Sequence, residues 1–222
     1  MWDVGGTLAQ HAMPVESFLR RCLARAGLSL DSLAPGAIQA ADAVRKQLES
    51  LWRTAADEEA GNLEIATALL RDSGASADQV RTVASALLDY FELFTSIPGI
   101  RSLLDELRNA GVLQGVVSNW PPSLKGFLDF HDLTRYFKVV VGSGEFGAEK
   151  PDPAIFRHAL EQLGVPATEC VFVGDNPEKD IKPARELGMQ AIHFDPRGSW
   201  PGADARDAQQ LRSLLLRTLK LP

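Results

Sequence analysis

The chain has 222 residues, of which 45% are hydrophobic and 23% charged, and its formal net charge is −6. That length allows one large core, or a core domain with a smaller one, and the composition is that of a globular protein. The negative charge and the lack of a lysine- or arginine-rich run argue against a nucleic-acid partner. No apolar run is long enough to span a membrane.

The two cysteines, Cys22 and Cys170, lie far apart in the sequence. They indicate neither a disulfide framework nor a cysteine metal site, and a buried thiol is the simplest interpretation of Cys170. We therefore expect a cytoplasmic protein. The sequence carries no signal for an oligomeric state.

The first eight residues combine a short apolar run with Asp3, two glycines and Thr7. This pattern is typical of a buried strand that ends in a carboxylate facing a ligand, because Gly5 and Gly6 let the backbone turn sharply. Central strands usually run about five or six residues. Either this first strand is unusually short, or the native chain begins upstream of Met1.

Residues 14–95 carry apolar side chains at helical spacing in four segments: 14–27, 38–52, 63–70 and 76–91. Ser76 and Gln79 have the spacing of a capping box at the start of the last one. The apolar stripes, which include Ile38, Leu51 and Leu63, predict contacts between helices. This block therefore reads as a four-helix bundle inserted after the first loop.

From residue 97 onward, predicted strands and helices alternate. The strands are predicted at 112–117, 137–141, 170–173 and 190–194, and the helices at 100–110, 123–130, 153–163, 181–187 and 208–219. This alternation is typical of parallel βαβ units.

Four polar residues follow the ends of these strands: Asp3, Ser118, Lys150 and Asp175. Each alone has an ordinary explanation as a turn former, a cap or a surface residue. In an open parallel sheet, however, ligands bind at the carboxyl ends of the strands, so the topology brings all four to one place. Together they predict a single site.

The residue types in this site suit phosphoryl transfer. Asp3 and Asp175 offer the hard oxygens that Mg²⁺ prefers, and Asp180 is placed to orient the metal shell or the lysine. Lys150 and Ser118 would hold an anion. These groups around one anion describe transfer through an aspartyl intermediate.

Four segments resemble the motifs of the haloacid dehalogenase superfamily: residues 3–8, 116–119, 150–153, and 174–176 with Asp180. The resemblance implies an α/β fold, with a Rossmann-like, doubly wound parallel-sheet core at residues 1–13 and 96–222. It also implies an α-helical cap of the subfamily I, C1 type at residues 14–95.

The resemblance further implies Asp3 as the nucleophile, Ser118 and Lys150 as catalytic partners, and Thr7 and Asn119 as substrate-binding residues. It implies Mg²⁺ held by the Asp3 carboxylate, the Gly5 carbonyl and the Asp175 carboxylate, with Asp180 in the surrounding shell. Trp120, just after Asn119, is expected at the entrance of the site or packed against Pro121 and Pro122.

Gly5 departs from the phosphatases of this superfamily, which have a second aspartate there as the general acid and base. Losing such a group typically lowers the rate by about 10²–10⁴-fold. His11 is a conceivable substitute; the alternative is a hinge or surface histidine.

Three functions are open. The first is a weak Mg²⁺-dependent phosphatase acting on a small phosphorylated metabolite. The second is a 2-haloacid dehalogenase, since those relatives also lack the second aspartate; they are metal-independent and use a cap arginine, for which Arg20, Arg21, Arg25 and Arg45 are candidates. The third is a pseudo-hydrolase that binds a ligand or a protein partner without turnover.

Overall fold

A computed structural model describes residues 1–221, with only the backbone for Ser50, and the chain divides into two compact units. Unit 1 comprises Met1–Gln10, Ser96–Trp120 and the residues from Leu124 onward, whereas unit 2 comprises His11–Thr95 and Pro121–Ser123. The short segment Pro121–Ser123 thus groups with residues that lie far from it in sequence.

Within the described residues the helices are α1 (Val15–Arg25), α2 (Ala37–Leu48), α3 (Ala55–Leu69), α4 (Ala77–Leu87), α5 (Ile100–Asn109), α6 (Leu124–Phe130), α7 (Ser143–Phe146), α8 (Pro153–Leu163), α9 (Lys182–Glu186) and α10 (Ala208–Leu219). The strands are β1 (Ala9–His11), β2 (Phe94–Ser96), β3 (Gly115–Ser118), β4 (Val139–Gly142), β5 (Val171–Gly174) and β6 (Gln190–His193). The sequence did not predict β1 and β2, which pair with each other, or the short helix α7.

Unit 2 contains α1 to α4, and its core is formed by side chains that include Leu23, Ala66, Leu69 and Val83. The capping box is present at α4: the Ser76 amide donates to Gln79 Oε1 (2.9 Å) and the Gln79 amide donates to Ser76 Oγ (3.3 Å). These two bonds use backbone N–H groups that the first turn of a helix leaves unpaired.

Three of the apolar residues predicted to lie between helices are exposed instead: Ile38, Leu51 and Leu63. The buried stripe of α3 runs through Asn62, Ile65, Ala66 and Leu69. Leu63 follows that stripe by one residue, which is a rotation of about 100° around the helix.

Ile38 is displaced in the same way from the buried pair Ala37 and Ala41 of α2. Leu51 lies in a 3₁₀ turn, Glu49–Leu51, and not in a helix. The prediction for these three side chains was therefore wrong.

The start of the chain lies in the middle of the sheet of unit 1. Trp2 pairs in parallel with Val116 of β3 on one side and with Val173 of β5 on the other. β3 pairs in parallel with β4, and β5 with β6, which gives the order β4–β3–Trp2–β5–β6. The predicted α/β fold with a parallel sheet is confirmed.

Helix α8 packs on β3 and β4, and its Phe156 lies 5.1 Å, between ring centroids, from Phe172 of β5. Its bounds match the prediction: Asp152 Oδ1 accepts from the Ala154 amide (2.8 Å) as the N-cap, and Gly164 ends the helix with a positive φ of 73°. A π-helical turn, Pro177–Ile181, which the sequence did not predict, leads into α9, and α9 itself falls within the helix predicted at 181–187.

Neither cysteine forms a disulfide, and both are buried, as expected for Cys170. In the part of the chain that the structure describes, every helix is too short or too polar to cross a lipid bilayer.

Candidate active site

Asp3, Ser118 and Asp175 lie at the same edge of the sheet, because each follows or ends one of three adjacent parallel strand segments. The backbone hydrogen bonds that set this alignment run from the Trp2 amide to the Gly115 carbonyl (2.9 Å) and from the Asp3 amide to the Val173 carbonyl (2.9 Å). All three side chains are buried. The topology therefore brings Asp3 next to residues that lie more than a hundred positions away in the sequence.

The Asp3 carboxylate is held through one of its oxygens. Ser118 Oγ donates to Asp3 Oδ1 (3.0 Å), and Lys150 Nζ donates to the same oxygen (2.6 Å). No described residue donates a hydrogen bond to Oδ2, and Asp3 lines a cavity of about 170 Å³. Oδ2 is thus the oxygen that a substrate or a cation can reach.

Lys150 is a buried cation between two carboxylates, because its Nζ also donates to Asp180 Oδ1 (2.5 Å). Burial by itself favours the neutral amine, but the charges of Asp3 and Asp180 outweigh it and hold the pKa of Lys150 above its usual value. Both oxygens of Asp180 accept hydrogen bonds, since its Oδ2 accepts from the Asn176 amide (3.0 Å). Asp180 thus contacts Lys150 directly, and its roles in orienting the lysine or a metal shell stay predictions.

The side-chain amide of Asn119 forms hydrogen bonds to the main chain of Lys150 through both its oxygen and its nitrogen. The Lys150 amide donates to Asn119 Oδ1 (2.7 Å), and Asn119 Nδ2 donates to the Lys150 carbonyl (2.9 Å). Asn119 lines the cavity, but these bonds engage its amide group. Its evident effect is to position Lys150, and substrate binding by Asn119 stays a prediction.

Asp175 follows β5 and contacts the guanidinium of Arg197. Burial raises the pKa of Asp175 to about 7, and the Asp3 charge adds to this shift, whereas Arg197 opposes it. Arg197 has no local sequence signal, because it lies 22 residues after Asp175 in the loop that follows β6.

The carboxylates of Asp3, Asp175 and Asp180 offer oxygen atoms that all lie within 4.8 Å of one another. Only one buried cation, Lys150, lies among these three groups in the described part of the chain. A small, hard divalent cation prefers such oxygens and would offset the remaining negative charge. The residues present therefore fit Mg²⁺, with the carboxylates of Asp3 and Asp175 among the available ligands.

Gly6, not Gly5, is the residue that the backbone requires to be glycine. Gly6 has a φ of +85°, and a Cβ atom there would overlap the Asp175 carboxylate. At Gly5 an added Cβ would lie 3.7 Å from Trp120 Cζ3, which is an ordinary van der Waals distance, and φ there is not positive. The sequence pattern assigned both glycines to the turn, whereas the structure leaves room for a side chain at position 5.

Thr7 is the one predicted site residue that does not line the cavity within the described structure. It is fully buried, and its hydroxyl has no hydrogen-bond partner among the described residues. Trp120 does line the cavity, with its ring 4.5 Å from that of Phe127. His11 belongs to unit 2, where it is exposed and packs on Phe94 (4.6 Å between ring centroids).

The cavity also includes Asn176, to which the sequence motif assigned no role, and Lys179, which the sequence did not single out. The available signal was their position between Asp175 and Asp180. A larger cavity of about 210 Å³ lies at the opposite ends of the strands, around Met1 and Val171. Its lining is mainly apolar, so chemistry and not size identifies the site.

Comparisons with known proteins agree with this geometry. The family model described as haloacid dehalogenase-like hydrolase matches residues 1–188. Among solved structures, a 2-haloacid dehalogenase from Pseudomonas syringae pv. Tomato DC3000 superposes with a TM-score of 0.73 at 26% identity, covering 98% of this chain and 97% of that one.

Two curated relatives are phosphatases. A phosphoserine phosphatase from Thermus thermophilus is 35% identical over 133 residues, which is 60% of this chain and 53% of that protein. A glyceraldehyde 3-phosphate phosphatase from Methanopyrus kandleri is 34% identical over 149 residues, 63% of this chain and 61% of that protein. Each match spans less than two thirds of the relative's own length. With the family match over most of its length, the chain belongs to the haloacid dehalogenase-like hydrolase family.

Proposed function

We propose that this protein is a Mg²⁺-dependent phosphatase acting on a small phosphorylated metabolite, with Asp3 as the nucleophile. The proposal is carried by the hydrogen bonds of the Asp3 carboxylate. Ser118 and Lys150 donate to its Oδ1. Its Oδ2 accepts no hydrogen bond from a described residue, and Asp3 lines the cavity. A nucleophile needs this combination of fixed orientation and one accessible atom.

In the first step, Asp3 Oδ2 attacks the phosphorus, the bond from phosphorus to the leaving oxygen breaks, and that oxygen takes its proton from water. Lys150 Nζ uses two of its three N–H donors on Asp3 and Asp180 and donates the third to an oxygen of the attacked group. The single O–H of Ser118, which holds Asp3 Oδ1 before the substrate binds, turns to that group when the substrate is in place. Water then attacks the aspartyl phosphate, which releases inorganic phosphate and restores the Asp3 carboxylate.

When held by the carboxylates of Asp3 and Asp175 and the carbonyl of Gly5, Mg²⁺ supplies positive charge that reduces repulsion between the Asp3 carboxylate and the phosphate. Asp180 keeps Lys150 charged and oriented, through the 2.5 Å contact with its Nζ.

With glycine at position 5, the oxygen of the leaving group lacks the usual proton donor. An alkyl phosphate, whose leaving group is a strong base, is therefore expected to react about 10²–10⁴-fold more slowly than with an aspartate at this position. Esters with leaving groups that depart as stable anions are affected less. We infer a weak phosphatase, and His11 is a less favoured substitute because its ring packs on Phe94.

Unit 2 is proposed to be the cap that governs substrate access, and unit 1 the catalytic core. The phosphatase names of two relatives support a small phosphorylated substrate. The two buried, unpaired cysteines support a reducing, cytoplasmic setting.

The test is phosphate release from a panel of aryl and alkyl phosphates, with and without Mg²⁺. Activity should disappear in Asp3→Asn and after chelation, and return when Mg²⁺ is added back. Lys182→Met is a suitable control, since Lys182 is exposed and pairs with Glu178 (3.6 Å). No turnover across the panel, with Mg²⁺ or a phosphate ester still bound in calorimetry, would replace this proposal with the pseudo-hydrolase.

A 2-haloacid dehalogenase is the second candidate, favoured by Gly5 and by the name of the relative with a TM-score of 0.73. A departing halide needs no proton, so the missing acid would not matter. The cap arginines expected in such an enzyme are already engaged within unit 2: Arg20 with Glu16 (2.8 Å), Arg21 with Glu92, Arg25 with Asp89, and Arg45 with Asp42 (2.8 Å) and Glu49 (2.6 Å). Halide release from 2-chloropropionate would establish the dehalogenase, and its absence would remove it.

A further inference from the structure

The cavity of unit 1 has a buried floor and an exposed rim that differ in charge. The floor holds the reacting groups, with Asp3, Ser118 and Lys150 all buried. Lys179 is exposed and also lines the cavity. Among the described lining residues it is the only exposed charged group, so it is the cation that the rim of the cavity presents.

The backbone of Lys179 is fixed by the π-helical turn Pro177–Ile181. Asn176 Oδ1 accepts from the amides of Glu178 (3.0 Å) and Lys179 (2.9 Å), and the next residue, Asp180, is anchored to Lys150. π-helical turns occur frequently at functional sites. The turn therefore fixes the position of the Lys179 Cα atom relative to the reacting groups.

The ammonium group of Lys179 is not used inside the protein. Two other lysines near the site form ion pairs within the protein. Lys150 pairs with Asp3 (2.6 Å), and Lys182 pairs with Glu178 (3.6 Å). No carboxylate of the described residues pairs with Lys179. The Lys179 ammonium group at the rim of the cavity is therefore available to bind the part of the substrate that does not react.

We propose that Lys179 determines specificity by binding a second anionic group, a carboxylate or a second phosphate, of a small phosphate ester. The inference rests on the proposed function. The phosphoryl group being transferred lies at the floor beside Asp3, and the opposite end of the same molecule meets Lys179 at the rim.

The test compares substrate pairs that differ in one anionic group. O-phosphoserine and O-phosphoethanolamine differ by a carboxylate, and 1,3-propanediol bisphosphate and 3-hydroxypropyl phosphate differ by a second phosphate. The measured quantity is the ratio of kcat/KM within each pair. One pair responding without the other identifies which anion Lys179 binds.

In Lys179→Met this ratio should fall about tenfold in at least one pair, through KM, which corresponds to about 1.4 kcal/mol. Lys179→Arg should retain most of the selectivity because it keeps the charge. Lys182→Met, which removes an exposed lysine from the adjacent helical turn, should leave the ratio as in the unmodified chain. An unchanged ratio in Lys179→Met for both pairs would overturn the proposal.

Calorimetry separates this inference from the proposed function. O-phosphoserine and O-phosphoethanolamine are titrated into Asp3→Asn, with and without Lys179→Met. If no variant turns over any ester, the proposed function fails, and a Lys179-dependent preference for O-phosphoserine would still support the inference. The bisphosphate and 3-hydroxypropyl phosphate are titrated in the same way. Turnover together with equal affinities within both pairs, in both the presence and absence of Lys179, would refute the inference alone.

Discussion

Replacing Gly5 with aspartate is the perturbation that most directly tests how the site works. Gly5 lines the cavity. Among the described residues, the only non-adjacent atom within 4 Å of an added Cβ would be Trp120 Cζ3, at 3.7 Å. Because φ at Gly5 is not positive, an L side chain adds no left-handed strain. The substitution therefore adds a carboxyl group to an assembled site without disturbing the turn.

The expected gain follows from the chemistry that the carboxyl adds. A positioned general acid contributes about 10²–10⁴-fold, so kcat/KM for an alkyl phosphate should rise by at least about 10²-fold. The gain should be smaller for 4-nitrophenyl phosphate, whose leaving group departs as a stable anion. Phosphate release from the two esters, measured side by side in saturating Mg²⁺, provides both numbers.

Gly5→Asn is the matched control, because it has nearly the same shape and cannot act as the acid. Equal gains in Gly5→Asp and Gly5→Asn would show that packing, and not proton transfer, limits the rate. No gain in Gly5→Asp, with the fold and Mg²⁺ binding intact, would refute the idea that the remaining site is assembled for phosphoryl transfer.

Three further predictions concern stability and metal binding. Gly6→Ala should lower the free energy of unfolding by more than about 2 kcal/mol, because the left-handed backbone costs about 1–2 kcal/mol and the added methyl overlaps Asp175; urea denaturation measures this. Arg197→Gln should tighten Mg²⁺ binding by up to about fivefold in calorimetry well above pH 7, where Asp175 is ionised with or without the arginine, since a half-exposed arginine that competes for the Asp175 carboxylate contributes no more than about 1 kcal/mol. The pKa of Glu58 is raised by burial, so stability should fall as pH rises from its unfolded value of about 4.3 towards the higher folded value, and Glu58→Gln should remove that component.

Each of these predictions has a control or a contradicting result. Gly164→Ala has a similar positive φ of 73° with nothing within 4 Å of the added methyl, so it should show the conformational effect without the overlap. Equal losses at the two glycines would contradict the crowding argument. Arg185→Gln, which removes an arginine 3.8 Å from Asp204, should leave Mg²⁺ affinity unchanged. For Glu58, an identical pH profile in the unmodified chain and the variant would be the contradicting result.

The Glu58 prediction depends on a network inside unit 2. Glu58 is buried on α3 and accepts from the Ser123 amide (3.1 Å) and the Ser123 hydroxyl (2.7 Å). Because the fold favours the protonated carboxyl, the native state binds more protons than the unfolded state over this pH range, and stability falls with increasing pH. The same contact explains why Pro121–Ser123 groups with the helical unit.

The sequence by itself determined the parts that depend on local signals. The bounds of α8, the capping box of Ser76 and Gln79, and the positions of Asp3 and Asp175 at strand ends all follow from short-range patterns. Residue order and the rule that ligands bind at the carboxyl ends of parallel strands were sufficient to predict that the chemical groups converge.

Only the tertiary structure decided which atoms those groups use. The amide of Asn119 holds the Lys150 main chain, Arg197 reaches Asp175 from 22 residues away, and Thr7 lies buried outside the lining of the cavity. Such contacts depend on how distant strands and loops pack, and no periodicity records that packing. The distinction between the two glycines has the same origin, since a neighbour distant in sequence, Asp175, excludes a side chain at position 6 and leaves room for one at position 5.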